Sequence, residues 1–373
     1  MRIFLVCLLL LVACNAGAKE VTVWIGMATP PPGQKSGIYR ATLDDETGKL
    51  SQPMLAAEIK APEFLALRPD GQRLYAAYAL ENGKGGVAAF EISPDTKSLR
   101  PLNTQPIGGN GACHVAVDPT GRCLFTAEYG DGTIAAFPLA ADGQIQPRSA
   151  LIQHAGSGPN KERQDGPHPH SANPAPKNEF LLVPDLGTDQ IVVYHADPAT
   201  GLLEARGHGT SPPGAGPRHM KFHPNGKFAY VLNELDLSVT VFKYDAATGN
   251  LEAIQTISSL PEEFRENSCT ASEVCIHPNG RFLFAANRGH DSISAFTVDP
   301  ESGKLTFVER EAIRGNNPRN FNLDPSGKWL LAGGLQSNTI SVFKVNQDDG
   351  SLLFTGQTVN TPAPMCIVFQ RQP

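Results

Sequence analysis

A Pro-x-Gly turn recurs through this chain about every 50 residues and predicts a repeating fold. Five clear copies contain Pro69, Pro119, Pro224, Pro278 and Pro325. A sixth copy, at Pro176, has Asn178 in place of the glycine, and asparagine also tolerates left-handed backbone. An apolar strand follows each turn, and a second strand of the Ile-Ser-Val-Phe type comes after a polar break, as at 340–343. Four short strands per repeat are typical of a propeller blade.

The two ends of the chain supply the parts of one further blade. Residues 21–27 and 37–44 match the second and third strands of a repeat, and residues 364–369 match a first strand. Joining these parts closes a ring and removes exposed sheet edges. We therefore predict an all-β protein, with residues 19–373 forming a single seven-bladed β-propeller closed by pairing of the C-terminal strand with the N-terminal blade. A closed ring has no obligate need for a partner subunit, so a monomer is expected.

Residues 1–18 have the pattern of an export signal. Arg2 is followed by an apolar run at 3–13, which is too short to span a bilayer. Cleavage after Ala16-Gly17-Ala18 would release a soluble periplasmic protein beginning at Lys19. The alternative is a lipoprotein signal, because Leu11-Val12-Ala13-Cys14 resembles a lipobox and would leave Cys14 attached to a membrane.

Charge and cysteine content exclude several classes of function. The net charge is −6, with a pI near 5.9 and no basic run, so nucleic acid is not expected as a partner. An odd number of cysteines follows residue 18, and none lies in a C-x-x-C motif, so neither a disulfide framework nor a zinc site is indicated. These are Cys113, Cys123, Cys269, Cys275 and Cys366.

The repeat locates candidate site residues, because positions before and after each turn meet at one mouth of the ring. Six positions before the turn proline, and nine or ten after it, the blades carry charged residues that differ from one blade to the next. A site that binds an asymmetric ligand must present different side chains around the ring, and these positions do so. The candidate catalytic residues are His170, Arg218, Glu234 and Arg288. Residues at or beside the same mouth are expected to contact substrate, namely Glu128, His168, His219, Glu273, Arg319 and Asn320. The alternative is that these charges merely pair with one another in a wet channel.

The candidate residues suit proton transfer on an anionic or oxyanion-forming substrate. A carboxylate and a histidine can transfer protons near neutral pH, and guanidinium groups can stabilise a developing oxyanion. The chain has no serine elbow, H-E-x-x-H, P-loop or dinucleotide motif. Because the arginines would repel a cation, no metal and no cofactor are expected.

Several motifs resemble those of the 6-phosphogluconolactonase-type propellers, a family that includes the fungal carboxymuconate cyclases. They are H-P-H-S at 168–171, G-P-R-H at 216–219, L-N-E at 232–234, S-E-V at 272–274, A-N-R-G-H at 286–290 and N-P-R-N-F at 317–321. The resemblance covers essentially the whole chain after residue 18. It implies an active site of one histidine, two arginines and one glutamate, and these match His170, Arg218, Arg288 and Glu234.

Together with the export signal, the resemblance to periplasmic gluconolactonases implies hydrolysis of glucono-1,5-lactone to the aldonic acid. In that mechanism Glu234 or His170 activates water, and Arg218 and Arg288 stabilise the oxyanion. One alternative is a family member acting on 6-phosphogluconolactone or cyclising a muconate. The other is a non-enzymatic propeller that binds a partner across one face.

Overall fold

A computed structural model describes residues 19–80, 84–95, 97–177, 179–264 and 269–370. The expected export segment, 1–18, lies outside the described residues. Within them the chain forms seven four-stranded antiparallel sheets and one short 3-10 helix, Glu262–Phe264. This confirms the predicted seven-bladed β-propeller.

Each of the first six blades is a consecutive run of four strands. Blade 1 contains β4 (Pro62–Leu67), β5 (Arg73–Ala79), β6 (Lys84–Ile92) and β7 (Leu99–Asn110). Blade 2 contains β8 (Ala112–Val117), β9 (Cys123–Glu128), β10 (Thr133–Pro138) and β11 (Ala150–Gln153). Blade 3 contains β12 (Asn173–Pro174), β13 (Phe180–Asp185), β14 (Gln190–Asp197) and β15 (Leu202–Thr210).

The next three blades repeat this order. Blade 4 contains β16 (Pro217–Phe222), β17 (Phe228–Asn233), β18 (Ser238–Tyr244) and β19 (Leu251–Ser258). Blade 5 contains β20 (Thr270–Ile276), β21 (Phe282–Arg288), β22 (Ser292–Val298) and β23 (Leu305–Ala312). Blade 6 contains β24 (Pro318–Leu323), β25 (Trp329–Gly334), β26 (Thr339–Val345) and β27 (Leu352–Asn360).

The seventh blade joins the two ends of the described chain. Its sheet has the order β28 (Pro364–Gln370), β1 (Glu20–Met27), β2 (Gly37–Asp44) and β3 (Met54–Glu58). In the antiparallel register of β28 and β1, Ile25 lies opposite Ile367. The first strand of each repeat is innermost, because β4, β8, β16, β20, β24 and β28 pack against their neighbours around a central channel.

The core lies between adjacent sheets rather than inside any one of them. Between blades 5 and 6, for example, Phe284 and Phe321 belong to one buried apolar cluster. The turn glycines that defined the repeat have φ between 69° and 76°, a conformation that a residue with a Cβ rarely adopts. At this end of the ring His223 contacts the Gly280 carbonyl oxygen, at 3.0 Å, and so links two blades.

Candidate active site

A β-bulge interrupts five of the inner strands near the same mouth of the channel. The register shifts lie between Pro62 and Phe64, Ala112 and His114, Pro217 and His219, Ala271 and Val274, and Pro318 and Asn320. The skipped residues are Glu63, Cys113, Arg218, Ser272, Glu273 and Arg319. A bulge re-aims a side chain that a regular strand would turn into the sheet. Among the residues six positions before a turn proline, Glu63, Cys113, His170 and Arg319 line the channel mouth, whereas Arg218 and Ser272 are buried.

The channel mouth encloses a polar cavity of about 420 Å³. Its charged and polar lining comprises Glu63, Cys113, Tyr129, Arg163, His170, Glu234, Thr270, Arg288 and Arg319. Three of the four residues predicted to be catalytic thus line one cavity. The fourth, Arg218, is buried beside the lining and donates a hydrogen bond to Glu234.

Glu234 is the centre of the charged network. Its Oε1 accepts a hydrogen bond from Arg163 Nη2, at 2.7 Å. Its Oε2 accepts one from Arg218 Nε, at 2.9 Å, and lies 3.1 Å from Arg288 Nη2. Burial alone would raise the pKa of Glu234, but Arg288, Arg218 and the neighbouring cations hold that pKa far below its ordinary value. Glu234 is therefore a permanent carboxylate and a weak proton acceptor.

His170 faces the same cavity as a neutral imidazole. Its Nε2 lies 4.0 Å from Glu234 Oε2, beyond hydrogen-bonding distance. Burial lowers the pKa of His170 well below its ordinary value, and the nearby Arg218 lowers that pKa further. The imidazole is therefore unprotonated at neutral pH and able to accept a proton.

Glu63 and Arg319 line the cavity, and their side chains make no hydrogen bond or ion pair to any residue that the structure describes. Burial raises the pKa of Glu63, and the nearby Arg319 opposes that rise. The sequence predicted Arg319 as a substrate contact but did not single out Glu63. Both side chains are free to meet a ligand.

His219, Glu273 and Asn320 form a second layer below the cavity. His219 Nδ1 lies 3.0 Å from Glu273 Oε2, and Asn320 Nδ2 donates to the same oxygen at 2.6 Å. Glu273 and Asn320 line a separate channel cavity of about 340 Å³, together with Lys221. The structure therefore places these three predicted substrate contacts behind the site, where they support it.

Glu128 and His168 also lie outside the cavity lining. Glu128 is fully buried within blade 2, where its Oε2 accepts a hydrogen bond from Thr133. His168 stacks on Tyr129, with 4.4 Å between ring centroids, and its Nδ1 lies 2.7 Å from the Tyr129 carbonyl oxygen. His168 therefore positions a lining residue, whereas the expectation that Glu128 reaches the mouth is not met.

The sequence reasoning missed Arg163, which supplies the shortest of the contacts to Glu234. Arg163 lies in the connection between β11 and β12, which has no counterpart in the repeat. The neighbouring Gln164 is fully buried and donates from Nε2 to the Leu186 carbonyl and to Asp189, which fixes this segment. No repeat position indicates Arg163, whereas Glu63 stands at the position shared with Arg218.

Other expectations concern metals, cysteines and membranes. Among the described residues, no group of three metal-ligating side chains is close enough to hold an ion. All five cysteines in the described part of the chain are free. In the same part, no helix is long and apolar enough to cross a bilayer.

Comparison with known proteins identifies the family. The family described as "Lactonase, 7-bladed beta-propeller" matches residues 22–369. The 6-phosphogluconolactonase of Bacillus subtilis is 38% identical over 94% of this chain and 100% of its own. A protein of the same name from Formosa agariphila is 33% identical over 78% of this chain and 82% of its own.

A solved structure agrees with these sequence matches. The periplasmic gluconolactonase of Pseudomonas aeruginosa superposes with a TM-score of 0.88 and 29% identity, covering 95% of this chain and 100% of its own. The chain therefore belongs to the lactonase family of seven-bladed β-propellers, enzymes that hydrolyse lactones.

Proposed function

We propose that this protein hydrolyses a six-membered aldonolactone, glucono-1,5-lactone, at the cavity around Glu234. The observation that carries the proposal is a carboxylate held by three guanidinium groups beside a neutral, buried histidine. Hydrolysis of a lactone requires a proton acceptor for water and positive charge for the oxyanion, and this arrangement offers both.

His170 is the better proton acceptor of the two candidates. Glu234 is bound to guanidinium groups through both oxygens, so protonating it would break several charge-assisted contacts. His170 Nε2 lies near the same carboxylate but is not bound to it. We assign His170 as the base and Glu234 as the anchor that holds the arginines in place.

The reaction then runs in two steps. A water molecule attacks the lactone carbonyl carbon while His170 Nε2 accepts its proton, and the carbonyl oxygen becomes an oxyanion. Arg288 lines the cavity, and Arg218 is buried beside the lining, so both strengthen the positive field at that oxygen. When the ring C–O bond breaks, His170 returns the proton to the departing alkoxide, and an open-chain acid is released.

The neutral lactone and a periplasmic location are favoured by the export pattern of residues 1–18 and by the likeness to a periplasmic gluconolactonase. The second candidate substrate is 6-phosphogluconolactone. It is favoured by the guanidinium of Arg319, which faces the cavity without an ion pair among the described residues, and by the names of the sequence relatives.

The test is proton release from each lactone, measured by pH-stat with the purified protein and with its Glu234→Gln variant. We expect faster release from the neutral lactone than without protein. In the variant kcat should fall at least about 100-fold, because general acid–base and oxyanion contributions of that size depend on the network. Preference for the phosphorylated lactone would select the second candidate. No acceleration of either lactone would refute both.

A further inference from the structure

A buried acid–histidine pair lies directly beneath the proposed base. Glu273 and His219 are 2% and 3% exposed. Oε2 of Glu273 faces His219 Nδ1, at 3.0 Å, and accepts from the Asn320 amide. Its Oε1 accepts from the Val274 backbone N–H, at 3.0 Å, and lies 3.9 Å from the Lys221 ammonium. Because the Asn320 amide and the Val274 N–H both donate to Glu273, we take its carboxyl group as the acceptor toward His219 as well, which places the His219 proton on Nδ1.

This arrangement fixes which nitrogen of His219 remains basic. With its proton on Nδ1, neutral His219 presents a lone pair at Nε2. That nitrogen is buried and has no partner among the described residues. Buried polar atoms without partners are uncommon in native proteins, so we expect a hydrogen-bond donor to reach His219 Nε2.

His170 offers that donor. Its ring centroid lies 5.3 Å from that of His219, with the planes inclined at 71°. Its Nδ1 is also buried without a partner among the described residues. A proton on His170 Nδ1 would let this nitrogen donate a hydrogen bond to His219 Nε2, either through one bridging water or after a small ring movement.

We propose that Glu273 and His219 are positioning residues that keep the proton of His170 on Nδ1 and its lone pair on Nε2, facing the lactone. The proposal rests on the assignment of His170 as the base in the proposed function. Glu234 does not compete for Nε2, because it lies 4.0 Å away and its nearer oxygen is already shared by two guanidinium groups.

The charges around His170 are consistent with a neutral resting state. Burial is the main reason that the pKa of His170 is lowered, and Arg218 on the adjacent blade, His219 and the more distant Arg319 lower that pKa further. Glu234 opposes this lowering, and the Tyr129 ring packs against the His170 ring in a T-shaped contact, with 5.3 Å between the ring centroids. The two cations disfavour an imidazolium more than the single carboxylate favours it.

The experiment is ¹⁵N NMR of the histidine-labelled protein, which reports the protonated nitrogen of each imidazole. The chain has 10 histidines, and a His170→Gln variant assigns the signal. In the wild type we expect His170 to be protonated on Nδ1. In His219→Phe, which keeps a ring but removes the acceptor, the Nε2-protonated form should become the major one.

His114→Phe is the matched control. His114 lies in the same layer, 5.5 Å from His219, but its Nδ1 accepts from the Ala172 backbone N–H and is not directed to His170. This variant should leave the His170 tautomer unchanged. For His219→Phe we expect kcat to fall at least about tenfold, the lower range for loss of a supporting partner. KM should change by less than about twofold, since no substrate contact is removed.

A wild-type His170 protonated on Nε2 would overturn the proposal without any variant. An unchanged tautomer in folded His219→Phe would overturn it equally. If neither lactone is hydrolysed but the tautomers behave as expected, the hydrogen-bond chain stands and the proposed function fails.

Discussion

Replacing buried Glu128 by glutamine should stabilise the protein, and the gain should grow with pH. Burial raises the pKa of Glu128 to about 7. Its Oε2 accepts from Thr133, at 3.1 Å, while its Oε1 has no partner among the described residues. Ionising this carboxyl therefore places a poorly solvated charge inside blade 2. Glutamine has a similar shape and does not ionise.

The size of the effect follows from the pKa. A rise from 4.5 to about 7 is roughly 2.5 units, or about 3 kcal/mol of differential stability when the carboxyl is fully ionised. Because the folded-state pKa is raised, the stabilising contribution of the protonated carboxyl is complete below about pH 4.5. It is lost progressively between about pH 4.5 and pH 7 and is almost gone above the folded-state pKa. The glutamine side chain does not ionise, so the stability of the variant does not fall with pH at this position.

Urea unfolding of wild type and Glu128→Gln at about pH 5.5, 7 and 8.5 measures the difference. We expect the variant to be more stable by about 1 kcal/mol at pH 5.5 and by about 3 kcal/mol at pH 7, with little further change at pH 8.5. Glu91→Gln is the control, because Glu91 pairs with Arg100 at the surface. The difference in unfolding free energy between this variant and the wild type should be the same at all three pH values. A Glu128→Gln gap that is constant across pH would refute the reasoning, and an increased KM would restore Glu128 as a substrate contact.

Two further predictions concern the arginines of the cavity. Glu234→Gln should lower the free energy of unfolding at neutral pH by about 3 to 5 kcal/mol, because Arg163, Arg218 and Arg288 lose a buried counter-charge. A loss below about 1 kcal/mol in urea unfolding would contradict this. Arg319→Gln should raise KM at least about tenfold for 6-phosphogluconolactone while leaving the neutral lactone unaffected, as loss of a charged hydrogen bond implies. Equal steady-state effects on both lactones would exclude phosphate recognition.

The fold was predictable from the sequence because its signals are local and repeated. The turn around Pro224 specifies the hairpin between β16 and β17, and the same chemistry recurs in neighbouring blades. Ring closure followed from the two incomplete repeats at the ends, and β28 does pair with β1. None of these inferences required knowing how one blade packs on the next.

The site was only partly predictable, because bulges change which side chains face the channel. Reflection about a regular hairpin pairs Cys113 with Glu128, whereas the bulged strand pairs Ala112 with Glu128. Glu128 stands nine positions after its turn proline, the position of Asn233, which bonds to Ser238 and Thr240 within its own blade. Three of the residues ten positions after a turn proline, Tyr129, Glu234 and Arg288, line the cavity instead. The ninth position could therefore have been recognised as structural.

The pairing of β28 with β1 also makes the candidate site sensitive to premature truncation. The Ile367 backbone N–H, in the last strand, donates to Asn320 Oδ1 at 2.9 Å. This contact orients the Asn320 amide, which in turn donates to Glu273. A chain that stops before residue 364 can form neither β28 nor this contact. Polypeptides that end near residue 363 would therefore lack the contact that orients Asn320 toward Glu273, and the candidate site depends on a strand that belongs to another blade.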